Sequence, residues 1–285
     1  MEVLPDIMIE KSNQHQPLDW VGMTQIQSAM KIGEFTTPVQ LDVGVNLREE
    51  NRGIHMSRLY RLHHSELLNR TVTQSVVYSF LKNCLDSQAG ISNFASAKLK
   101  LNWPMITRSL KSDLEGFRQY PIEMIFELRL NELKSWLQFE ILYSSTCPQS
   151  AQVSLEANRA QSGISHQRFV ATPHAQRSRA RMRVEISNFS PKDIESLILE
   201  SEAALGTPVQ TTVKKVDELQ FAKLNAENLM FCEDAARRLS SYLKSKKIVN
   251  GFTILAEHQE SLHPHNATAI VAHNYSNSSQ LQFTN

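Results

Sequence analysis

Cys147 stands in the string Ser-Ser-Thr-Cys-Pro-Gln-Ser, where a strand is expected to end and a helix to begin. A thiol at such a junction is within reach of a substrate and near the positive end of a helix, and both favour the thiolate. The commoner fate of a lone cysteine is that of a small buried hydrophobe. Cys84 and Cys232 suit that fate, because each falls on an apolar helix stripe. His174, in Pro-His-Ala-Gln-Arg-Ser, directly precedes a strand. An imidazole at a loop end is a usual metal ligand, although exposed loop histidines are common and His166, in Ser-His-Gln-Arg, competes for the role. Glu218, in Lys-Lys-Val-Asp-Glu, reads as a carboxylate in a solvated loop between two late helices. Glu233 lies about 40° beyond the edge of a helical apolar stripe, taking 100° per residue. There it is either a half-buried carboxylate that accepts two hydrogen bonds from a flat N–H edge, or the partner of Arg237 in an i,i+4 pair worth about 0.3–0.5 kcal/mol. His263 and His265, in Leu-His-Pro-His-Asn, are spaced to face one site as a proton shuttle or as ligands, or else to decorate a polar hairpin. A cysteine, a histidine and a carboxylate make a three-ligand site with an open position for water. Spacing alone leaves open whether they meet.

The elements that must position these groups are legible as alternation. Val39, Leu41, Val43, Val45 and Leu47 alternate with polar residues or glycine, the mark of a half-buried strand. A second strand is expected over 54–62, then a helix capped by Ser65 with Leu68, Val72, Val76, Phe80 and Cys84 inward. Strands follow at 95–103 and 122–130. The same order returns from Leu137, Phe139, Ile141 and Tyr143, through a strand at 179–186. A helix opened by Ser190-Pro191 comes next, with Ile194, Leu197, Ile198 and Ala204 buried. Another helix is expected at 227–243, with Leu229, Cys232, Ala236, Leu239 and Leu243 as its stripe. Two strands, at 252–258 and 267–273, close the chain. Strands with one apolar face suit an antiparallel sheet with helices on one side, an α+β tandem repeat. The expected divisions are an N-terminal arm at 1–37, a first module at 38–132 and a second at 133–285, joined near 131–134.

Composition narrows the class. Of the 285 residues, 41% are hydrophobic and 21% charged, enough for a core and unlike a disordered chain. Lys and Arg total 30 against 29 Asp and Glu, a net charge of +1. That balance argues against a tail-driven nucleic-acid binder, so no nucleic-acid partner is expected. Only 9 residues are Gly, and no Gly-rich phosphate loop occurs. No run approaches the roughly 18 apolar residues of a membrane span. Residues 1–11 carry Glu2, Asp6 and Glu10 without an apolar core, unlike a signal peptide. With 3 cysteines, an odd number, reduced thiols in a cytoplasmic protein with no membrane partner are the expectation.

Several strings occur in a telling order: Leu-Pro-Asp-Ile (4–7), Asp-Trp-Val-Gly-Met (19–23), Arg-Gly-Ile-His-Met-Ser-Arg-Leu (52–59), Ser-Thr-Cys-Pro-Gln-Ser (145–150), His-Ala-Gln-Arg-Ser (174–178), Lys-Lys-Val-Asp-Glu (214–218) and Phe-Cys-Glu-Asp (231–234). Over nearly its whole length the chain resembles the prokaryotic GTP cyclohydrolase I of type B, and the 52–59 string is the most specific motif. The resemblance implies tandem tunnel-fold modules, in agreement with the repeat. It implies opening of the imidazole ring of GTP, release of formate and closure to 7,8-dihydroneopterin triphosphate, the entry to tetrahydrofolate and, in many bacteria, to queuosine. It further implies one divalent metal per site, Zn, Mn or Fe(II), and a homotetramer with sites at subunit interfaces.

Carried over by motif, the metal ligands fall on Cys147, His174 and Glu218, the purine-anchoring glutamate on Glu233, and the paired catalytic histidines on His263 and His265. Cys147 also counts among the catalytic residues. Lys214, Lys215, Arg177 and Arg179 are placed to meet the triphosphate. Two departures stand out. Between Cys147 and His174 lie 26 residues, more than the family usually has, with extra length at about 154–172 rich in Ala, Gln, Ser and Arg. Val216 stands where the family often has Pro, which loosens the backbone expected around Glu218. Competing readings are a tunnel-fold nitrile reductase of queuosine synthesis with Cys147 as nucleophile, and a non-catalytic purine- or pterin-binding paralogue.

Overall fold

The computed structural model describes residues 10–160 and 170–275. The Leu-Pro-Asp-Ile string, His166 and the middle of the 154–172 stretch lie outside them. The elements in chain order are β1 (Leu18–Ile32), β2 (Phe35–Leu47), α1 (Met56–Leu62), α2 (Gln74–Ser87), β3 (Phe94–Arg108), β4 (Glu115–Arg129), β5 (Glu132–Thr146), α3 (Pro148–Ala160), β6 (Ala175–Ile186), α4 (Pro191–Leu205), α5 (Lys215–Glu227), α6 (Cys232–Lys244), β7 (Val249–His258) and β8 (Ala267–His273). The class is α+β, as the alternation implied. The eight strands neighbour one another in sequence order in one sheet, with β1/β2, β2/β3 and β7/β8 antiparallel.

Two compact units divide the chain. One comprises residues up to Pro104 with Pro121–Gln138 and Glu185–Ile194; the other comprises Met105–Tyr120, Phe139–Val184 and the residues from Glu195 on. In the first unit, the stretch expected as an arm holds β1. Its alternation is broken at Gln25, which has φ of 62° and sits at a register shift between Met23 and Ile26. This is a bulge, and it turns one residue out of phase, so period-2 reading loses the strand. The Gln25 N–H donates to Asp42 Oδ1 at 2.7 Å, which satisfies the amide that the bulge frees. Next to it, Gly22 pairs across with Gly44. A Cβ on Gly44 would lie 2.4 Å from the Trp20 indole, so glycine here makes room for a ring whose Nε1 donates to Ser96 Oγ at 2.9 Å.

The 54–62 segment holds α1, Met56–Leu62, and not a strand. Ile54, Met56, Tyr60 and Leu62 mimic alternation, yet Tyr60 is 49% exposed while Leu59, His63 and Leu67 are buried in steps of four. That step is the helical one. A π-turn over His63–Leu67 continues α1. Ser65 spends its hydroxyl on the carbonyls of Arg61 and Leu62, and Thr73 caps α2 instead by accepting the Val76 N–H at 3.3 Å. Within the 52–59 motif, the Gln88 side chain brackets the His55 backbone, accepting its N–H at 2.9 Å and donating to its carbonyl at 3.1 Å.

α4 begins at Pro191 as the Ser-Pro signal indicated, and Asp193 closes the turn by accepting the Ser190 N–H at 2.7 Å. α5 occupies the stretch read as a loop. Its one buried residue is Asp217, so no apolar stripe announced it. It is held by a carboxylate: Asp217 accepts N–H groups from Lys111 (2.7 Å), Ser112 (2.9 Å) and Lys214 (2.8 Å), and the Ser112 hydroxyl. Burial opposes ionisation of Asp217, but these donors outweigh it and hold its pKa far below the ordinary carboxylate value. Val216 is the second residue of this helix, where the backbone N–H has no helical partner, so a proline there would break no helical hydrogen bond. α6 starts at Cys232, later than its stripe suggested, because Asp234 accepts the Phe231 N–H at 3.1 Å and sets the first turn there. Cys232, Ala235, Ala236, Leu239 and Leu243 form its buried face, packed on β7 and β8.

Candidate functional site

The residues singled out for chemistry all belong to the second unit. Cys147 is the link between β5 and α3. Its carbonyl accepts the Ala151 N–H at 3.0 Å, and its Sγ accepts the Ser150 N–H at 3.5 Å. The sulfur thus sits at the start of α3, among N–H groups that have no partner within the helix. The thiol is half-buried, unlike those of Cys84 and Cys232. Burial, with Glu66 nearby, pushes the Cys84 thiol far up and keeps it inert. α3 runs to Ala160, so the first part of the 154–172 stretch is helix.

His174 lies against Cys147, and its carbonyl accepts the Cys147 N–H at 3.3 Å. The His174 N–H donates to Ser150 Oγ at 3.1 Å. Its Nδ1 is 3.1 Å from Gln176 Oε1 and 3.6 Å from Glu260 Oε2. Glu260 was not singled out from the sequence. The signal was its place three residues before His263 in the same polar turn. Cys147, His174 and Glu260 therefore converge from the ends of β5, β6 and β7.

Glu218 does not join them within this chain. It is exposed on the first turn of α5, beside the Asp217 clamp. Farther along that helix, Asn225 Oδ1 accepts from Thr146 Oγ1 at 3.3 Å, next to Cys147. Seven residues of helix separate Glu218 from Asn225, an axial distance of about 10 Å. Among the described residues, no three His, Cys, Asp or Glu side chains gather closely enough to hold a metal ion.

Glu233 is exposed on the first turn of α6, where it was expected half-buried. Arg237 pairs with Asp234 at 3.3 Å, and Glu233 Oε2 accepts from Cys232 Sγ at 3.3 Å. Its own backbone N–H and that thiol lower the Glu233 pKa, so it is ionised at neutral pH. Acceptance by Glu233 and burial raise the Cys232 thiol to about 11, with burial the larger cause. Below this turn, the ring of buried His258 meets that of Tyr143 edge-on at 5.7 Å. Burial pushes His258 down to about 4 against the pull of Glu233 and Asp234, so the imidazole is neutral. His263 and His265 are exposed, their rings stacked with centroids 5.0 Å apart and planes within 11°.

Of the candidate cations, Lys214, Lys215 and Arg177 are exposed, whereas Arg179 is engaged by Glu257 at 2.8 Å. Cys147 and His174 thus meet through their backbones, with Glu260 beside the His174 ring, while Glu233 and the stacked histidine pair stand exposed elsewhere in the same unit.

Residues 4–269 match the family model described as type I GTP cyclohydrolase folE2. The chain is 35% identical over 294 residues to GTP cyclohydrolase FolE2 of Hydrogenovibrio crunogenus, covering 95% of this chain and 94% of that protein. It is 38% identical over 290 residues to GTP cyclohydrolase FolE2 of Citrobacter koseri, covering 94% and 96%. Among solved structures it is similar to uricase from Arthrobacter globiformis, at 8% identity and a TM-score of 0.48, over 92% of this chain and 95% of that one.

Proposed function

The chain belongs to the type I GTP cyclohydrolase FolE2 family, and from that premise we propose that it converts GTP to 7,8-dihydroneopterin triphosphate and formate, the first step of tetrahydrofolate synthesis and a feeder of queuosine synthesis. The observation that carries the reading is the contact of Cys147 with His174, two residues that the sequence separates by a helix.

The donor chemistry fits a divalent metal. A thiol at a helix start and an imidazole whose Nδ1 is occupied by Gln176 are, with one carboxylate, a set that Zn or Fe(II) accepts and Mn tolerates. Cys147, His174 and Glu218 would hold one such ion per site, and it would supply the Lewis acidity that makes water nucleophilic at neutral pH. The chain's own groups do the rest. Glu233, ionised, accepts two N–H bonds from the guanine edge and rejects bases that would leave its charge unpaired. His263 and His265 carry the proton to the departing ring nitrogen. Lys214, Lys215 and Arg177 offset the triphosphate charge.

In this proposal the subunits form a homotetramer in the cytoplasm, with each site at an interface and Glu218 entering from a second copy. Glu218 lies about 10 Å along the α5 axis from Asn225, the residue of that helix that touches Thr146, and this is in keeping with that arrangement. The fold of the proposal is the tandem tunnel fold, with modules at 38–132 and 133–285. No helix among the described residues is long and apolar enough to cross a membrane.

The test is direct. Purified protein with added Zn, Mn or Fe(II) should turn GTP into a product that becomes a fluorescent neopterin after oxidation and dephosphorylation, and a chelator should stop it. Full turnover in a chelated, metal-free sample would remove the metal from the mechanism. Turnover only of a nitrile with NADPH would replace the reaction.

A further inference from the structure

We infer that Gln176 sets the imidazole tautomer of His174, through a polar chain running back between β5 and β6, and so determines which ring nitrogen His174 offers to a cation. The inference rests on the metal reading proposed above for its second half only.

The chain of contacts is continuous. His174 Nδ1 lies 3.1 Å from Gln176 Oε1. Gln176 Nε2 donates to Ser145 Oγ at 2.8 Å, and Ser145 Oγ lies 2.7 Å from Ser178 Oγ. Gln176 and Ser178 share one face of β6, two residues apart, and Ser145 meets them from β5, its neighbour in the sheet. Ser145 and Ser178 are fully buried and Gln176 is 9% exposed, so water competes little for these groups.

A glutamine amide can in principle face either way, and a hydroxyl can donate or accept. Taken alone, the chain therefore has two polarities. In one, Gln176 accepts from Nδ1–H. In the other, its NH₂ donates to a bare Nδ1 and the proton sits on Nε2. Glu260 decides between them. Its Oε2 lies 3.6 Å from the same Nδ1, and a carboxylate beside a bare lone pair is repelled, whereas beside an N–H it is attracted. Nδ1 therefore carries the proton, Gln176 turns Oε1 toward it, the amide NH₂ turns to Ser145, and the Ser145 hydroxyl donates to Ser178. The Nε2 lone pair remains as the electron-pair donor of the ring. The backbone of His174 is held at the same time by Cys147 and Ser150, so both the ring's protonation site and its position are set before any ion arrives.

The test uses metal-free full-length protein with ¹⁵N-labelled histidine and long-range ¹H–¹⁵N correlation spectra, His174 being identified by its loss in His174→Asn. The parent should show the Nδ1–H tautomer. Gln176→Glu, which keeps an acceptor, should retain it, whereas Gln176→Leu should show a mixture of tautomers. Zinc affinity, measured by competition with a chromophoric chelator, should fall about 10- to 100-fold in Gln176→Leu and far less in Gln176→Glu. An Nε2–H tautomer in the parent overturns the proposal, and so does Gln176→Leu with parental tautomer and parental zinc affinity. The parent spectrum decides the tautomer even if Gln176→Leu does not fold. A parent that shows Nδ1–H yet binds no zinc overturns the metal reading and leaves the tautomer assignment standing.

Discussion

Replacing Arg118 by Met should destabilise the protein strongly at neutral pH and weakly in acid. Arg118 Nη1 lies 2.8 Å from Glu202 Oε1, and both side chains are buried, at 11% and 7% exposure. The same nitrogen donates to Val209 O at 3.3 Å, in the segment whose Thr207 and Val209 are zipped onto β5 short of Cys147. Tyr120, stacked under the guanidinium at 4.5 Å, donates to Glu202 Oε1 at 3.1 Å. Burial raises the Glu202 pKa, and Arg118, with the Tyr120 hydrogen bond, restrains the rise. Without Arg118 the carboxyl is neutralised on folding. Neutralising a carboxyl of unfolded pKa near 4.3 costs at most about 3.7 kcal/mol at pH 7 and about 1 kcal/mol at pH 5, at 1.36 kcal/mol per unit. A lost hydrogen bond to Val209 adds about 1 kcal/mol at either pH. The total at pH 7, about 4–5 kcal/mol, lies in the range for breaking a buried ion pair.

The direction with pH follows from the sign of the shift. A carboxyl whose folded pKa is raised binds its proton more tightly in the folded state. Its contribution is fully present below the unfolded pKa and is lost as pH rises through the folded one. Urea unfolding of parent and Arg118→Met at pH 5 and pH 7 should therefore show the deficit growing by about 2–3 kcal/mol over that interval. Adding Glu202→Gln should remove most of this growth. A deficit that is equal at both pH values would refute the reasoning, because it would mean that Glu202 stays ionised without its partner.

Three further outcomes are expected. Cys147→Ser should lower metal stoichiometry after dialysis, since a hydroxyl is a poor ligand at neutral pH where a thiolate binds strongly; stoichiometric metal held as tightly as in the parent would remove Cys147 from the ligand set. Co-refolding Cys147→Ser with Glu218→Gln chains should restore GTP turnover that neither has alone, because a site between copies can combine the intact residue of each; absence of any recovery would place both in one chain. Glu233→Gln should weaken GTP binding by about 2–5 kcal/mol, through loss of charge-assisted bonds and an unpaired donor, while metal content holds; unchanged affinity in a titration would take Glu233 out of the purine site.

What the sequence determined by itself was whatever depends on near neighbours. β2 to β6 were legible because each buries one face, and burial of one face writes period two into the chain. Cys84, Cys232 and the α4 and α6 stripes were legible for the same reason at the helical period. The strings also marked Cys147 at a helix start and His263 with His265 in one turn, and the structure shows both placements. The elements that escaped are those whose physics is not a periodic apolar face. β1 hides behind the Gln25 bulge, α1 imitates alternation until Tyr60 is seen to face solvent, and α5 is held by the buried Asp217 carboxylate. Tertiary structure alone decided the meetings. Glu260 and Gln176 reach His174 Nδ1 from β7 and β6, while Glu218 stays outside and Glu233 faces solvent. Strand pairing brings residues together across any number of intervening positions, and the free energy of those contacts leaves no period along the chain from which they could be read.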